Sequence, residues 1–393
     1  MCEESRNFVA DNNYTQQTMI YTVNSAELYT RLQNLAKVIL AKNSIQILDC
    51  VLFEIKGDVL NLRSTDKEVT LESKMNLVET SGDSSFALNA KRIIDILKTI
   101  PEQPITLDVN TSSLQINLKY KNGEMVFQGE SAEEFPELLQ SGDAQSSISV
   151  NNAALSQALG NGAVATASDD SRAAMQGIFF DITPEEFAVV ASDGRKLVRS
   201  LVKCDTHGIS SNFILPQKPT AIVRSVLGDA EGEVKISTYA EGNATFDTGE
   251  YVMHCRLISE TYPNYRAVIP QNNDRIATID KETLVGALKR VMVIADRSTC
   301  LVKLQFEPNK VTLSAENNNY AMSAEERILC QYEGLPIKIG FQGDYLQELL
   351  TRISTEEVVI QLSDPSRASL ILPSCQEENV NVLMLLMPLL ITN

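Results

Sequence analysis

The side chains that could do covalent or metal chemistry in this chain are few and poorly grouped. Ser64-Thr65-Asp66-Lys67 matches S-x-x-K, the spacing in which a lysine activates a serine nucleophile. It falls where a strand should end rather than where a helix should open, and no K-T-G or S-D-N follows. A chance match is the plainer reading. Asp169-Asp170 could offer two carboxylates to magnesium, but no third acid lies nearby, and a loop suits the pair better. His207 and His254 are the only histidines, and neither has a partner at metal-ligand spacing. Gly160-Asn161-Gly162 lacks the third glycine and the preceding strand of a dinucleotide fingerprint. No G-x-x-x-x-G-K-[ST] is present. The seven cysteines (Cys2, Cys50, Cys204, Cys255, Cys300, Cys330, Cys375) are odd in number, scattered and never spaced C-x-x-C. That pattern suits reduced cytoplasmic thiols, not a disulfide frame or a zinc site. No catalytic residue, metal or cofactor is expected.

Whatever the chain does must therefore rest on surfaces, and the elements that build them repeat. Thr22-Val23-Asn24-Ser25-Ala26-Glu27-Leu28 returns as Ser149-Val150-Asn151-Asn152-Ala153-Ala154-Leu155, and again as Thr278-Ile279-Asp280-Lys281-Glu282-Thr283-Leu284. Each copy predicts a strand ending on Asn or Asp that caps a following helix. A hairpin comes next in each. Leu52-Phe53-Glu54-Ile55 turns at Lys56-Gly57-Asp58 into Val59-Leu60-Asn61-Leu62, Ile178-Phe179-Phe180 pairs with Ala188-Val189-Val190, and Leu304-Gln305-Phe306 turns at Pro308-Asn309-Lys310 into Val311-Thr312-Leu313. Second helices are predicted at 89–99, 216–227 and 342–353. Alternating strands close each unit, with Asn122-Gly123 read as a two-residue hairpin turn. A period of domain size means a triplicated domain rather than a solenoid. The fold class is α+β: three tandem copies of one two-helix, antiparallel-sheet domain. The boundaries read as an extension over 1–18, then domains 19–143, 144–271 and 272–393.

Charge is segregated among these elements. The chain carries −17 overall, which by itself argues against nucleic acid. Helices taken as 24–42, 89–99, 151–168, 216–227, 280–297 and 342–353 hold thirteen basic and seven acidic residues, leaving −23 for everything else. Lys and Arg are good helix formers and could merely populate exposed faces; helices gathered on one surface would instead attract phosphate. No run of 18 apolar residues could span a membrane, and the polar first 18 residues are no secretory signal.

Three segments carry a resemblance. Ala191-Ser192-Asp193-Gly194-Arg195-Lys196-Leu197 looks like T-D-G-H-R-L, Tyr262-Pro263-Asn264-Tyr265-Arg266-Ala267-Val268-Ile269-Pro270 is similar to F-P-D-Y-R-R-V-L-P, and Met387-Pro388-Leu389 is similar to M-P-M-R-L. With the triplication, the chain resembles the bacterial sliding clamp, the β subunit of DNA polymerase III holoenzyme, from about residue 19 to 391. It departs where Arg195 and Lys196 replace His and Arg, where Ala267 replaces a second Arg, and where Leu390 replaces the terminal Arg.

The resemblance implies a head-to-tail homodimer closed into a ring around duplex DNA, with helices lining the hole. It implies sequence-independent phosphate contacts from Lys42, Lys91, Arg92, Lys218, Arg224, Lys289, Arg290 and Arg297, with Lys42 and Lys218 foremost. It implies a dimer contact joining Met125 and Phe127 to Val293 and Ile294. It also implies an apolar pocket between the second and third domains, lined by Met175, Ser192, Gly194, Arg195, Lys196, Leu197, Pro263, Val268, Met387, Pro388 and Leu389. There, extended Q-L-x-L-F peptides would dock from the replicative polymerase, the clamp loader, and repair and translesion polymerases. Two rival readings are an acidic repeat scaffold that never touches DNA and a serine hydrolase using Ser64 and Lys67.

Overall fold

The structure is a computed structural model that describes residues 18–138, 142–228 and 231–391, and the side chains of all of these but Asp170 and Asn318. The expected extension lies outside the described residues except for Thr18, which already opens a strand. The chain divides into two compact units, Met1–Leu139 with Glu250–Val252, and Gln140–Gly249 with Met253–Asn393.

In the first unit a five-stranded antiparallel sheet runs in the order Glu79–Thr80, Thr18–Asn24, Pro104–Asn110, Gln115–Tyr120, Gly123–Gln128. A second sheet contains, side by side, Val69–Asn76, Val59–Thr65, Cys50–Lys56 and Ser84–Asn89. Helix α1 (Ser25–Leu35) packs on α2 (Ala90–Leu97). α1 buries Leu28, Leu32 and Leu35, an i, i+4, i+7 stripe that faces the core.

The second unit holds two more such helix pairs, α3 (Asn152–Gly162) on α4 (Gln217–Leu227) and α5 (Lys281–Met292) on α6 (Gly343–Leu350). One nine-stranded sheet runs through both repeats. Its order is Ser211–Pro216, Gly177–Ile182, Phe187–Ser192, Lys196–Val202, Val380–Leu386, Ser369–Pro373, Glu357–Leu362, Arg275–Asp280, Gln331–Tyr332. The seam is the antiparallel pairing of Lys196–Val202 with Val380–Leu386, Lys196 opposite Leu386 and Val202 opposite Val380. A four-stranded sheet, Met322–Leu329, Lys310–Asn317, Leu301–Glu307, Ile337–Gln342, leaves Met322–Leu329 on an edge.

The three predicted caps form. Asn24 accepts from the amides of Ala26 and Glu27, Asn151 from Ala154, and Asp280 from Thr283. The helices are shorter than their apolar periodicity suggests. After Leu35 the amides of Lys37, Val38 and Ile39 reach back only three residues, to Asn34, Leu35 and Ala36. After Gly162 a 3-10 turn covers Ala163–Ala165, and past Met292 the amide of Ile294 donates to Val291. Val38, Ala165 and Ala295 stay buried through this tighter winding, so the burial pattern runs on where the α-helix does not. Lys42 and Arg297 consequently lie beyond their helices. The six helices hold eight basic against five acidic side chains, so their positive balance is half that expected. The hairpin loop is also displaced: Tyr120 pairs with Gly123, leaving Lys121-Asn122 as the turn. A Cβ on Gly123 would lie 2.8 Å from the Tyr120 hydroxyl, so a larger residue there would have to displace the end of that side chain.

Candidate functional site

The S-x-x-K serine is inert. Ser64 is fully buried, and its Oγ donates to the Leu35 carbonyl at 2.7 Å, satisfying the end of α1. Lys67 sits in an exposed turn with φ +79°. Among the described residues no group of three His, Cys, Asp or Glu is placed to hold a metal ion.

A cavity of about 220 Å³ opens at the seam of the nine-stranded sheet. Its wall begins at the turn joining Phe187–Ser192 to Lys196–Val202. There Asp193 Oδ1 accepts from the amides of Arg195 and Lys196 at 2.8 Å each, and Ser192 Oγ accepts from Gly194 at 3.1 Å while donating to the Lys196 carbonyl at 2.9 Å. Gly194 has φ +82°, a left-handed conformation that glycine takes without strain. The turn is thus locked by its own side chains. The facing wall is Tyr262–Val268, anchored by stacking Tyr262 on Phe179 at 4.6 Å and 5°. The Tyr265 hydroxyl and Arg266 Nη2 both donate to Asp181 at 2.8 Å. Burial, reinforced by that carboxylate, pushes the Tyr265 phenol well above its ordinary pKa. Leu385 and Met387 close the third side as the last strand ends, with the Met387 amide donating to the Arg195 carbonyl at 2.8 Å. Apolar residues Ala188, Val190, Leu197, Ile214, Ile269, Leu370 and Leu385 form the core beneath.

Nine of the eleven residues expected at a pocket meet here: Met175, Ser192, Gly194, Arg195, Lys196, Leu197, Pro263, Val268 and Met387. Pro388 and Leu389 do not line it. Pro388 has no amide to continue the ladder, and the chain turns so that Leu389 bridges Gly340, N to O at 2.8 Å. Sequence reading missed Tyr262, Asn264, Tyr265 and Leu385. The first three stand within the segment already singled out, and Leu385 is two residues from Met387, on the same strand face. Lys196, its side chain 5% exposed, pairs through its ammonium with Glu348 and lies 4.2 Å above the Tyr345 ring.

The basic candidates are dispersed in character. Lys91 and Arg92 are exposed at the start of α2 and share a shallow hollow with Met125. Lys42, Lys289 and Arg297 are exposed, and Lys218 is half-buried. Arg224 is half-buried on α4, its guanidinium within 3.0 Å of where a Cβ on Gly160 would stand. Arg290 is committed within the chain, gripping Glu326 through Nε at 2.9 Å and Nη2 at 2.5 Å. Met125 and Phe127 lie half-buried on the edge strand Gly123–Gln128, and Val293, 80% exposed, and Ile294 follow directly on α5 rather than lying within it.

Profiles of the DNA polymerase III beta subunit match the chain three times in order: the N-terminal domain at 19–139, the central domain at 149–264 and the C-terminal domain at 266–389. The chain belongs to the DNA polymerase III beta subunit family. The beta sliding clamp of Pseudomonas putida is 25% identical over 371 residues, spanning 93% of this chain and 99% of that protein. That of Synechococcus elongatus is 26% identical over 348 residues, 86% of this chain and 91% of the relative. A crystal structure of the sliding clamp from Pseudomonas aeruginosa bound to griselimycin superposes with a TM-score of 0.89 at 24% identity, covering 95% of this chain and all of the other. The griselimycin-bound clamp from Bartonella birtlesii gives 0.87 at 25% identity with the same coverage. In this chain the cavity falls where the central and C-terminal domain matches meet in space, at residues 175–268 and 385–387. No helix among the described residues is long and apolar enough to cross a membrane.

Proposed function

We infer that the chain is a DNA sliding clamp, a non-catalytic cytoplasmic subunit that encircles duplex DNA and tethers the replicative polymerase to it. The observation that carries this is the ordered match of all three beta-subunit domains across residues 19–389. Two copies close head-to-tail into a ring, so retention comes from topology, and phosphate contacts that carry no sequence information leave the ring free to slide. We assign the domains to 19–143, 144–271 and 272–393. Lys42, Lys91, Arg92, Lys218, Arg224, Lys289 and Arg297 face DNA in this reading. Met125 and Phe127 of one copy meet Val293 and Ile294 of the other. The unpaired edges at Gly123–Gln128 and Met322–Leu329 support closure, because exposed edges are otherwise prone to promiscuous pairing.

The cavity beside Leu197 and Met387 is the docking site for extended peptides of polymerases, the clamp loader and repair proteins. At about 220 Å³ it is smaller than the roughly 300–1,000 Å³ of a site that engulfs a small molecule. It suits one or two apolar anchors of a longer segment. Loading onto nicked circular plasmid tests the reading: the protein should stay bound through high-salt gel filtration and come off once the plasmid is linearised. Equal retention on both forms, or on neither, would leave an acidic scaffold as the better description.

A further inference from the structure

We propose that Glu348, which does not itself line the cavity, is a positioning residue for it: its carboxylate holds the Lys196 ammonium in place so that the 193–196 turn keeps its form as cavity wall. The inference rests on the peptide-site reading above and deepens it. Lys196 lines both the seam cavity and an adjoining polar cleft, to which α6 contributes Tyr345 and Glu348. Its side chain is 5% exposed, and an ammonium so far removed from water is stable only when paired. Glu348 is the close carboxylate, and the Tyr345 ring lies 4.2 Å from the nitrogen. Asp193 is 3.9 Å away, but its Oδ1 is already engaged by the amides of Arg195 and Lys196.

Tyr345 and Glu348 stand three residues apart and so neighbour each other on α6, while Leu346, Leu349 and Leu350 are buried and anchor that helix. The helix therefore reaches the turn twice, through Glu348 to Lys196 and through the Tyr345 hydroxyl, which accepts from Arg195 at 3.4 Å. Without Glu348 the ammonium has two ways to regain a partner. It can draw Asp193 off the amides that lock the turn, or it can swing towards water through the cavity it already lines. Either way the wall opposite Val268 and beside Met387 is lost, in a space of only about 220 Å³. A charge pair outside the cavity thus keeps the cavity open.

The experiment is a fluorescence titration of the full-length protein with labelled Gln-Leu-Ala-Leu-Phe, run as a double-mutant cycle of Glu348→Leu and Lys196→Met. Glu348→Leu alone should weaken binding about tenfold, within the range of coupling between residues in contact. In the Lys196→Met background no ammonium is left to hold, and adding Glu348→Leu should change affinity by less than about twofold. Should the leucine variant not fold, Glu348→Gln, which keeps the shape and loses the charge, takes its place in the same cycle. A second readout is the rate at which acetic anhydride acylates the Lys196 amine, followed by peptide mass, which should rise in the Glu348 variant. An equal loss in both backgrounds, which a merely structural role in α6 would give, overturns the proposal while leaving the peptide site standing. So does an undiminished affinity of the single variant, or an unchanged acylation rate. Failure of the unaltered protein to bind the peptide overturns the site and the proposal together.

Discussion

Asn24, Asn151 and Asp280 hold the heads of three helices in the same way, and of these only Asp280 can be protonated. Its hydrogen bonds with Thr283 hold the carboxyl below the usual carboxylate range. A depressed folded pKa stabilises fully above the unfolded value of about 3.9 and is lost as pH falls through the folded value. Asp280→Ala should therefore cost about 1 kcal/mol at pH 7, with the gap from the unaltered protein narrowing below pH 4. Urea midpoints at pH 7 and pH 3 measure both, and an undiminished gap at pH 3 would mean the charge is irrelevant to the cap. Tyr262 presents the opposite case. Its hydroxyl is buried and makes no bond of hydrogen-bond geometry, although the Ser192 backbone approaches closely enough to offset a little of the upward push that burial gives the phenol. Tyr262→Phe keeps the stack on Phe179 and removes an orphan worth about 1–3 kcal/mol, so the melting temperature should rise. A fall would show that the hydroxyl is satisfied in solution. Capping was legible in the sequence because it needs only a polar residue one step before a helix. The buried orphan was not, because nothing local distinguishes a satisfied tyrosine from an unsatisfied one.

At the scale of elements, helix starts were legible and helix ends were not. Four starts (α1, α2, α3 and α5) carry a chemical mark in a capping side chain, whereas the ends have no terminating glycine at α1 or α5, and buried Val38 and Ala295 prolong the apolar stripe past the last α-helical bond. The consequence is functional as well as descriptive, since half of the apparent basic excess of the helices lies outside them. Arg290 illustrates a second limit. On α5 it reads as a cation free to meet phosphate, but a fork of two bonds ties it to Glu326 on the edge strand Met322–Leu329, a partner 36 residues away that no local spacing announces. We expect Lys289→Ala to lower the salt slope of DNA binding by about 0.9, the release accompanying one lost phosphate contact. Arg290→Ala should leave that slope unchanged and instead loosen the edge strand, seen as faster amide exchange across 322–329. A slope that falls for Arg290→Ala and not for Lys289→Ala would reverse the assignment.

For the whole molecule, two features meet only through tertiary structure. In the ring reading, Val293 is 80% exposed and Ile294 is beside it, and each covers roughly 1.5–3 kcal/mol of apolar surface if buried against a second copy. Val293→Asp with Ile294→Asp should give folded monomers of 43.4 kDa by light scattering, and a variant still dimeric at micromolar concentration would move the interface elsewhere. The tail poses the sharper test. Sequence resemblance brought Ser192, Gly194 to Leu197, Pro263, Val268 and Met387 to one pocket because each lies in a segment with a distinctive pattern, but it carried Pro388 and Leu389 along with them. The structure sends Leu389 to Gly340 instead, where a side chain on residue 340 would approach the Leu389 carbonyl to 2.9 Å. Met387 is left as the tail's contribution to the cavity, held by its amide on the Arg195 carbonyl, 42% exposed and free to repack around different partners. Deleting 390–393 should accordingly leave binding of a Q-L-x-L-F peptide intact. Deleting 387–393 removes both backbone tethers and the Met387 wall, and should abolish that binding while the dimer and its melting temperature persist, since the strand Val380–Leu386 and its pairing with Lys196–Val202 remain. A peptide titration and a solution mass on the same two truncations separate the possibilities. Undiminished binding to the longer deletion would place the pocket elsewhere, and loss of the dimer would make the tail a structural element rather than a wall of the site.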